Sequence, residues 1–273
     1  MLKPHPAVIA SALLATTSAT LASTEAVSIP SFFTQQTNIT DALPGVRPLK
    51  INDALRRQLK TLSAEGETVR ITSIPLPDGT KVDADLRAID PFPDGFKLEM
   101  APGLGSKKAS HFVDPDNADM LFLKGNLTGD SSSLVFLATY EDRIHGMIEQ
   151  DGRTLIIASD PTDQGRPTTI FNPIELPEGV LDEATWECET HQADIGPIMP
   201  NLPDGGVAGQ TGTCRVVKLA FELDWELVAG PLESNAFAVL FYLGTVLSIS
   251  DEIYRRDSGV GLVFSYGRAW YES

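Results

Sequence analysis

The chain has 273 residues, 42% of them hydrophobic and 21% charged, with a formal net charge of −16. That length suits one large domain or two ordinary ones, and the apolar fraction supports a buried core, which excludes a disordered chain. The acidic balance argues against nucleic acid and anionic membrane surfaces as partners.

Residues 1–6 carry one cation, Lys3, and residues 7–14 form a short apolar run. A small-residue stretch follows through Thr20, Leu21 and Ala22. This is the pattern of a secretory signal cleaved after Ala22, so residues 1–22 are expected to be removed and the mature protein to be secreted and extracellular. The run is too short to span a bilayer, and no later stretch reaches eighteen apolar residues.

Residues 23–64 read as a loosely ordered lead-in with one short helix. Ile51, Leu55, Leu59 and Leu62 share the spacing of one helix face over 51–62, Asn52 or Asp53 can cap it, and Gly66 stops it. From residue 65 to 160 the pattern is that of short strands. Val69 and Ile71 alternate with polar residues, Asp78 and Gly79 supply a turn, and Val82, Ala84, Leu86 and Ala88 alternate on the return. Further turns are expected at Asp94 and Gly95, at Gly129 and Asp130, and at Asp151 and Gly152. Strands spaced by turn chemistry every ten or so residues predict an antiparallel β-rich domain.

Between 161 and 213 the pattern dissolves into prolines, among them Pro161, Pro167, Pro197, Pro200 and Pro203, followed by Gly205 and Gly206. Proline has no place in helix interiors or central strands, so this span reads as a connector and the region a protease would cut.

Alternation then resumes. Val217, Leu219, Phe221, Leu223 and Trp225 face one way, and Lys218, Glu222 and Asp224 the other, a strong strand signal. Apolar residues from Ala236 to Tyr254 recur at steps of three and four, which predicts a helix over 231–257 ended by Gly259. Val260, Leu262, Phe264 and Tyr266 alternate once more. Strand, helix, strand over 214–273 is a βαβ unit with parallel pairing. Two strands and a helix do not make a stable body alone. The unit must either pack onto the upstream strands or be the opening of a longer domain, and the sequence reading favours the second. The expected fold class is therefore α+β: an antiparallel β-rich domain followed by an incomplete α/β start.

With these residues in view, the chain resembles the N-terminal part of secreted bacterial reprolysin-like (adamalysin-type, metzincin) zinc metallopeptidase precursors. "CRVVKLAFELDWEL", "SDEIYRRDSGVGLVFSY" and "RAW" look like the start of the catalytic, zincin-like domain. "LPDGTKVDADLRAIDPF" and "LFLKGNLTGDSSSLVFLATYEDRIHGMIEQDGRTLIIASD" look like the propeptide. The resemblance covers roughly 65–270. It implies a zymogen whose propeptide assists folding and inhibits the protease, with the chain's own catalytic domain as first partner and protein substrates for the full-length enzyme.

The family's zinc motif, H-E-x-x-H-x-x-G-x-x-H, is missing. The four histidines, His5, His111, His145 and His191, never take that spacing. Zinc is thus expected only in a full-length family member, and no catalytic residue carries over. The chain by itself is expected neither to hold zinc tightly nor to cleave protein.

Two cysteines, Cys188 and Cys214, fit an oxidising compartment and allow at most one disulfide. Three readings stay open: a disulfide between them, a cysteine switch in which the Cys188 thiolate would ligate the family's zinc, or two free thiols. Cys188 and His191 are too few ligands for a metal of their own. The glycines and lysines of 103–108, the serines Ser131, Ser132 and Ser133, and the strand histidine His145 read as loop, turn and ordinary sheet residue. Asn38 and Asn126 head glycosylation acceptor patterns. Two readings from other classes compete with the precursor: a secreted non-enzymatic β-rich module that binds a protein or polysaccharide, and a free propeptide-like inhibitor.

Overall fold

The computed structural model describes residues 26–30, 32–35, 45–64, 66–103, 105–159, 168–180 and 215–272, with the side chains of 63 and 64 left out. The signal segment with Ala22, both cysteines, His5, His191 and Asn38 lie outside the described residues. The fold is α+β and strand-rich.

The lead-in is more ordered than its sequence suggested. It supplies β1 (Val27–Pro30), β2 (Phe33–Gln35) and β3 (Val46–Ile51) before α1 (Asp53–Ala64). These strands are too short for a period of two to show, and β1 ends on Pro30. Asn52 caps α1, its Oδ1 accepting from the N–H of Ala54 at 3.1 Å and of Leu55 at 3.3 Å. Ile51, expected on the helix, ends β3 instead.

Next come β4 (Val69–Pro75), β5 (Lys81–Ile89), β6 (Leu98–Ala101), β7 (His111–Val113), β8 (Met120–Leu127), β9 (Asp130–Tyr140), β10 (Arg143–Gln150) and β11 (Arg153–Ala158). The expected connector contributes one more strand, β12 (Thr168–Phe171), and a 3-10 turn at Pro173–Glu175. Its four residues sit between Pro167 and Pro173, which masked it in the sequence.

Ten strands form one sheet in the order β1-β4-β5-β8-β9-β10-β11-β12-β3-β2, all antiparallel except β1 with β4. A single apolar cluster draws on strands from both ends of that order, from Ile29 and Ile71 to Ile170, Leu49 and Phe33. Only a curled sheet permits this, and β2 at one end indeed touches β4 near the other. Leu59 of α1 is buried in the same cluster.

The last segment holds β13 (Arg215–Leu223), α2 (Trp225–Ala229), α3 (Ala236–Ser258) and β14 (Val260–Trp270). The helix begins at 236, later than expected, because Asn235 caps it, accepting from the N–H of Phe237 and Ala238. Gly259 ends it at a φ of 65°, where glycine escapes the Cβ penalty.

β13 and β14 pair in parallel, as the βαβ pattern predicted. They are not left as a pair. β14 also runs parallel to β6, which pairs with β7, so a second sheet has the order β13-β14-β6-β7. The turn at Asp94 and Gly95 therefore joins two sheets rather than two arms of a hairpin.

α3 lies between the sheets. It touches β8, β9 and β10 of the curled sheet, and β14 and β6 of the other. Ala238, Val239, Leu240, Phe241, Leu243 and Leu247 are buried, which explains why the helix is apolar on more than one side. Phe122, Phe136, Ala138 and Tyr140, on the outer face of the curled sheet, join Leu98, Phe264 and these helix residues in a second core. Among the described residues α3 is the one helix long and apolar enough to cross a membrane, and half of its most apolar stretch is buried inside the protein.

Candidate functional site

A cleft of about 450 Å³ lies on the seam between the upstream strands and the last segment. One wall is the run from Ile89 to Pro93 with Lys124; the other is Leu247, Ser248, Asp251 and Arg255 of α3 with Leu262 and Val263 of β14. The chain turns into the first wall through Asp90, whose Oδ1 accepts from the N–H of Phe92 at 2.9 Å.

Two ion pairs flank the cleft. Lys124 of β8 meets Glu252 of α3. Arg255 meets Asp251 one turn back, with Nε–O distances of 2.8 and 2.7 Å. Asp251 also accepts from the N–H of Leu262 at 2.7 Å, so one carboxylate ties the end of α3 to the start of β14. Ser248 is 6% exposed and its buried Oγ has no hydrogen-bond partner. A hydroxyl with no base beside it is not an activated nucleophile. The cleft thus brings together apolar side chains, paired charges and one hydroxyl without a hydrogen-bond partner among the described residues.

A second feature is the outer face of the small sheet. Arg268 of β14 stands between Tyr266 and Trp270, its guanidinium carbon 5.6 and 5.4 Å from their ring centres. Glu99 of β6 accepts from Arg268 Nε at 2.9 Å and from the Tyr266 hydroxyl. The Tyr266 hydroxyl, then Arg268, hold the Glu99 carboxyl below its usual range, and Glu99 in turn raises the Tyr266 phenol. Trp270 Nε1 donates to Glu222 of β13 at 2.7 Å. The Glu99 contacts tie β14 to β6 of the upstream segment, and the Trp270 contact ties β14 to β13.

Those residues singled out by sequence that are described do not converge. His111 is exposed on β7, its ring 6.0 Å from that of Tyr271. His145 faces α3, its ring 4.9 Å from Phe241, and burial holds its imidazole below the ordinary histidine range. The serine run opens β9: Asp130 Oδ1 accepts from Ser132 Oγ at 2.6 Å, and Ser133 Oγ donates to the Asp130 carbonyl at 2.7 Å. The lysine loop is tied down by Lys108 pairing with Glu272. Asn126 lies on β8 with its side-chain amide donating to the Ser133 carbonyl.

Among the described residues no three His, Cys, Asp or Glu side chains are arranged to hold a metal ion. The cleft itself was not legible in the sequence, although Asp251 four residues before Arg255 was a visible ion-pair signal. Compared with protein-family models and with curated proteins, the chain matches none of either.

Proposed function

We propose that this chain is the N-terminal part of a secreted zinc metalloendopeptidase precursor of the reprolysin-like kind. It would comprise a cleaved signal, a β-rich propeptide and the opening βαβ unit of the protease domain. The propeptide serves as a folding template for that unit and as its inhibitor. Peptide hydrolysis by a zinc-activated water would belong to residues other than those described here.

One observation carries the reading. The β6–β7 hairpin, from the propeptide-like stretch, adds to β14 of the protease-like stretch, while α3 sinks onto the outer face of the curled sheet. Strand addition of this kind lends a short parallel unit the neighbours it lacks. The test is to read the coding DNA past codon 273 in all three frames. The proposal expects an H-E-x-x-H-x-x-G-x-x-H stretch; a stop followed by an unrelated gene overturns it.

A second reading, a secreted non-enzymatic binding module, is favoured by the burial of α3 on both sides, which gives the βαβ unit a core within the chain itself. The same DNA reading separates the two.

A further inference from the structure

β13 is an end strand of the small sheet, and its outer edge is open among the described residues. End strands are normally blunted by proline, by brevity or by inward charges. β13 has nine residues, RVVKLAFEL, with neither proline nor glycine. On its inner side Leu223 is buried, but Val217 is 44% exposed and Leu219 and Phe221 are only half-buried, although both reach the second core. On its outer side Lys218 has no ion-pair partner among the described residues. Glu222 there accepts from Trp270 through Oε1 alone.

We propose that the 273-residue chain forms a two-fold dimer by antiparallel pairing of β13 with β13 of a second copy, centred on Ala220. In that register Lys218 lies opposite Glu222 of the second copy, and by symmetry the pair occurs twice. Leu219 lies opposite Phe221 and Val217 opposite Leu223, so the apolar side continues across the join. The neighbouring registers are worse. Centring on Lys218 or Glu222 sets like charges face to face. Centring on Leu219 leaves Lys218 opposite Ala220. Centring on Phe221 sends Lys218 to Asp224, which lies past the strand and already accepts from the N–H of Leu227 at 2.9 Å. Opposite-charge cross-strand pairs favour the register that forms them over those that do not, while main-chain hydrogen bonds and the joined apolar rows supply adhesion. The strand is complementary to itself, which is why the occupant is a second copy. The four-stranded sheet becomes one of eight.

This inference does not rest on the precursor reading, and a longer chain that added its own strand to β13 would be monomeric. The test therefore uses the 273-residue chain. Light scattering during size exclusion is expected to give twice the 29.4 kDa mass of the single chain. Lys218→Glu is expected to weaken dimerisation at least about tenfold. The double variant Lys218→Glu, Glu222→Lys, which rebuilds both pairs with signs exchanged, is expected to restore it. In a Cys188→Ser, Cys214→Ser background, Ala220→Cys is expected to oxidise to a disulfide-linked dimer, since the position faces itself, whereas Val216→Cys is not. A wild-type chain that stays monomeric at every concentration, open-ended polymers, or equal dimerisation of the single and double charge variants overturns the proposal.

Discussion

Gly267 of β14 lies directly beside Leu98 of β6 in parallel register, and a Cβ on Gly267 would sit 3.0 Å from Phe96 Cζ and 3.3 Å from Leu98 Cδ1. This tight pairing of two strands far apart in sequence, together with the docking of α3, joins the last segment to the upstream fold. Gly267→Val is therefore expected to destabilise the protein by about 1–3 kcal/mol through overpacking, against less than about 0.5 kcal/mol for Lys107→Ala at an exposed loop position. Urea unfolding of both variants, followed by intrinsic fluorescence, checks the contrast.

A similar approach occurs at Gly244 on α3. A Cβ there would lie 2.5 Å from Phe122 Cζ and 3.1 Å from Phe92 Cζ. Alanine improves helix propensity by roughly 1 kcal/mol, yet it must push two rings out of a filled core at a cost of about 1–3 kcal/mol. Gly244→Ala is expected to lower the melting temperature, and adding Phe122→Leu to recover part of the loss.

Asp251 and Glu252 are neighbours with unequal duties. Asp251 satisfies the N–H of Leu262 as well as Arg255, whereas Glu252 meets the part-buried Lys124. Asp251→Ala leaves a part-buried backbone donor without its acceptor and is expected to cost about 1–3 kcal/mol. Glu252→Ala removes a partly exposed ion pair and is expected to cost less than about 1 kcal/mol. Denaturant midpoints of the two variants test the order.

Acid is expected to destabilise the protein in two stages. His145, held below its ordinary pKa of 6.5 by burial, takes up a proton more readily when unfolded. Its contribution is thus complete above pH 6.5 and is lost as pH falls from that value through the lower folded pKa. Asp85, held low mainly by hydrogen bonds from Arg70 at 2.6 and 3.0 Å, and Glu99, held low by Tyr266 and Arg268, act in the same direction at lower pH. Their contribution is present above the unfolded carboxylate range and is lost as pH falls below about 4. Melting curves from pH 8 to pH 3 should show both declines, and His145→Gln should abolish the first and keep the second.

Much of this architecture was legible where strands were long enough to show their period. The hairpins of β4 with β5 and β10 with β11, the parallel pairing of β13 with β14, and the caps at Asn52 and Gly259 all follow from local chemistry. Strands of three to six residues in the lead-in and beside Pro167 carried no such period, and they were found only because the curled sheet recruits them. The partner of β14 was not legible either. Leu98–Ala101 is four residues with no mark to distinguish it from a hairpin arm, and its choice of sheet is set by the burial of Phe92, Phe96 and Phe264 together. The cleft inherits that problem, because its two walls meet only when α3 docks.

β13, α3 and β14 are expected to fold as one cooperative body with the upstream strands. Native-state hydrogen exchange tests it most directly, by comparing the opening free energies of amides in Ala236–Ser258 and Val260–Trp270 with those in Asp130–Tyr140. The buried helix, β14 and β9 are expected to share one value. A helix and last strand that exchange through a much cheaper opening, while β9 stays protected, would contradict it.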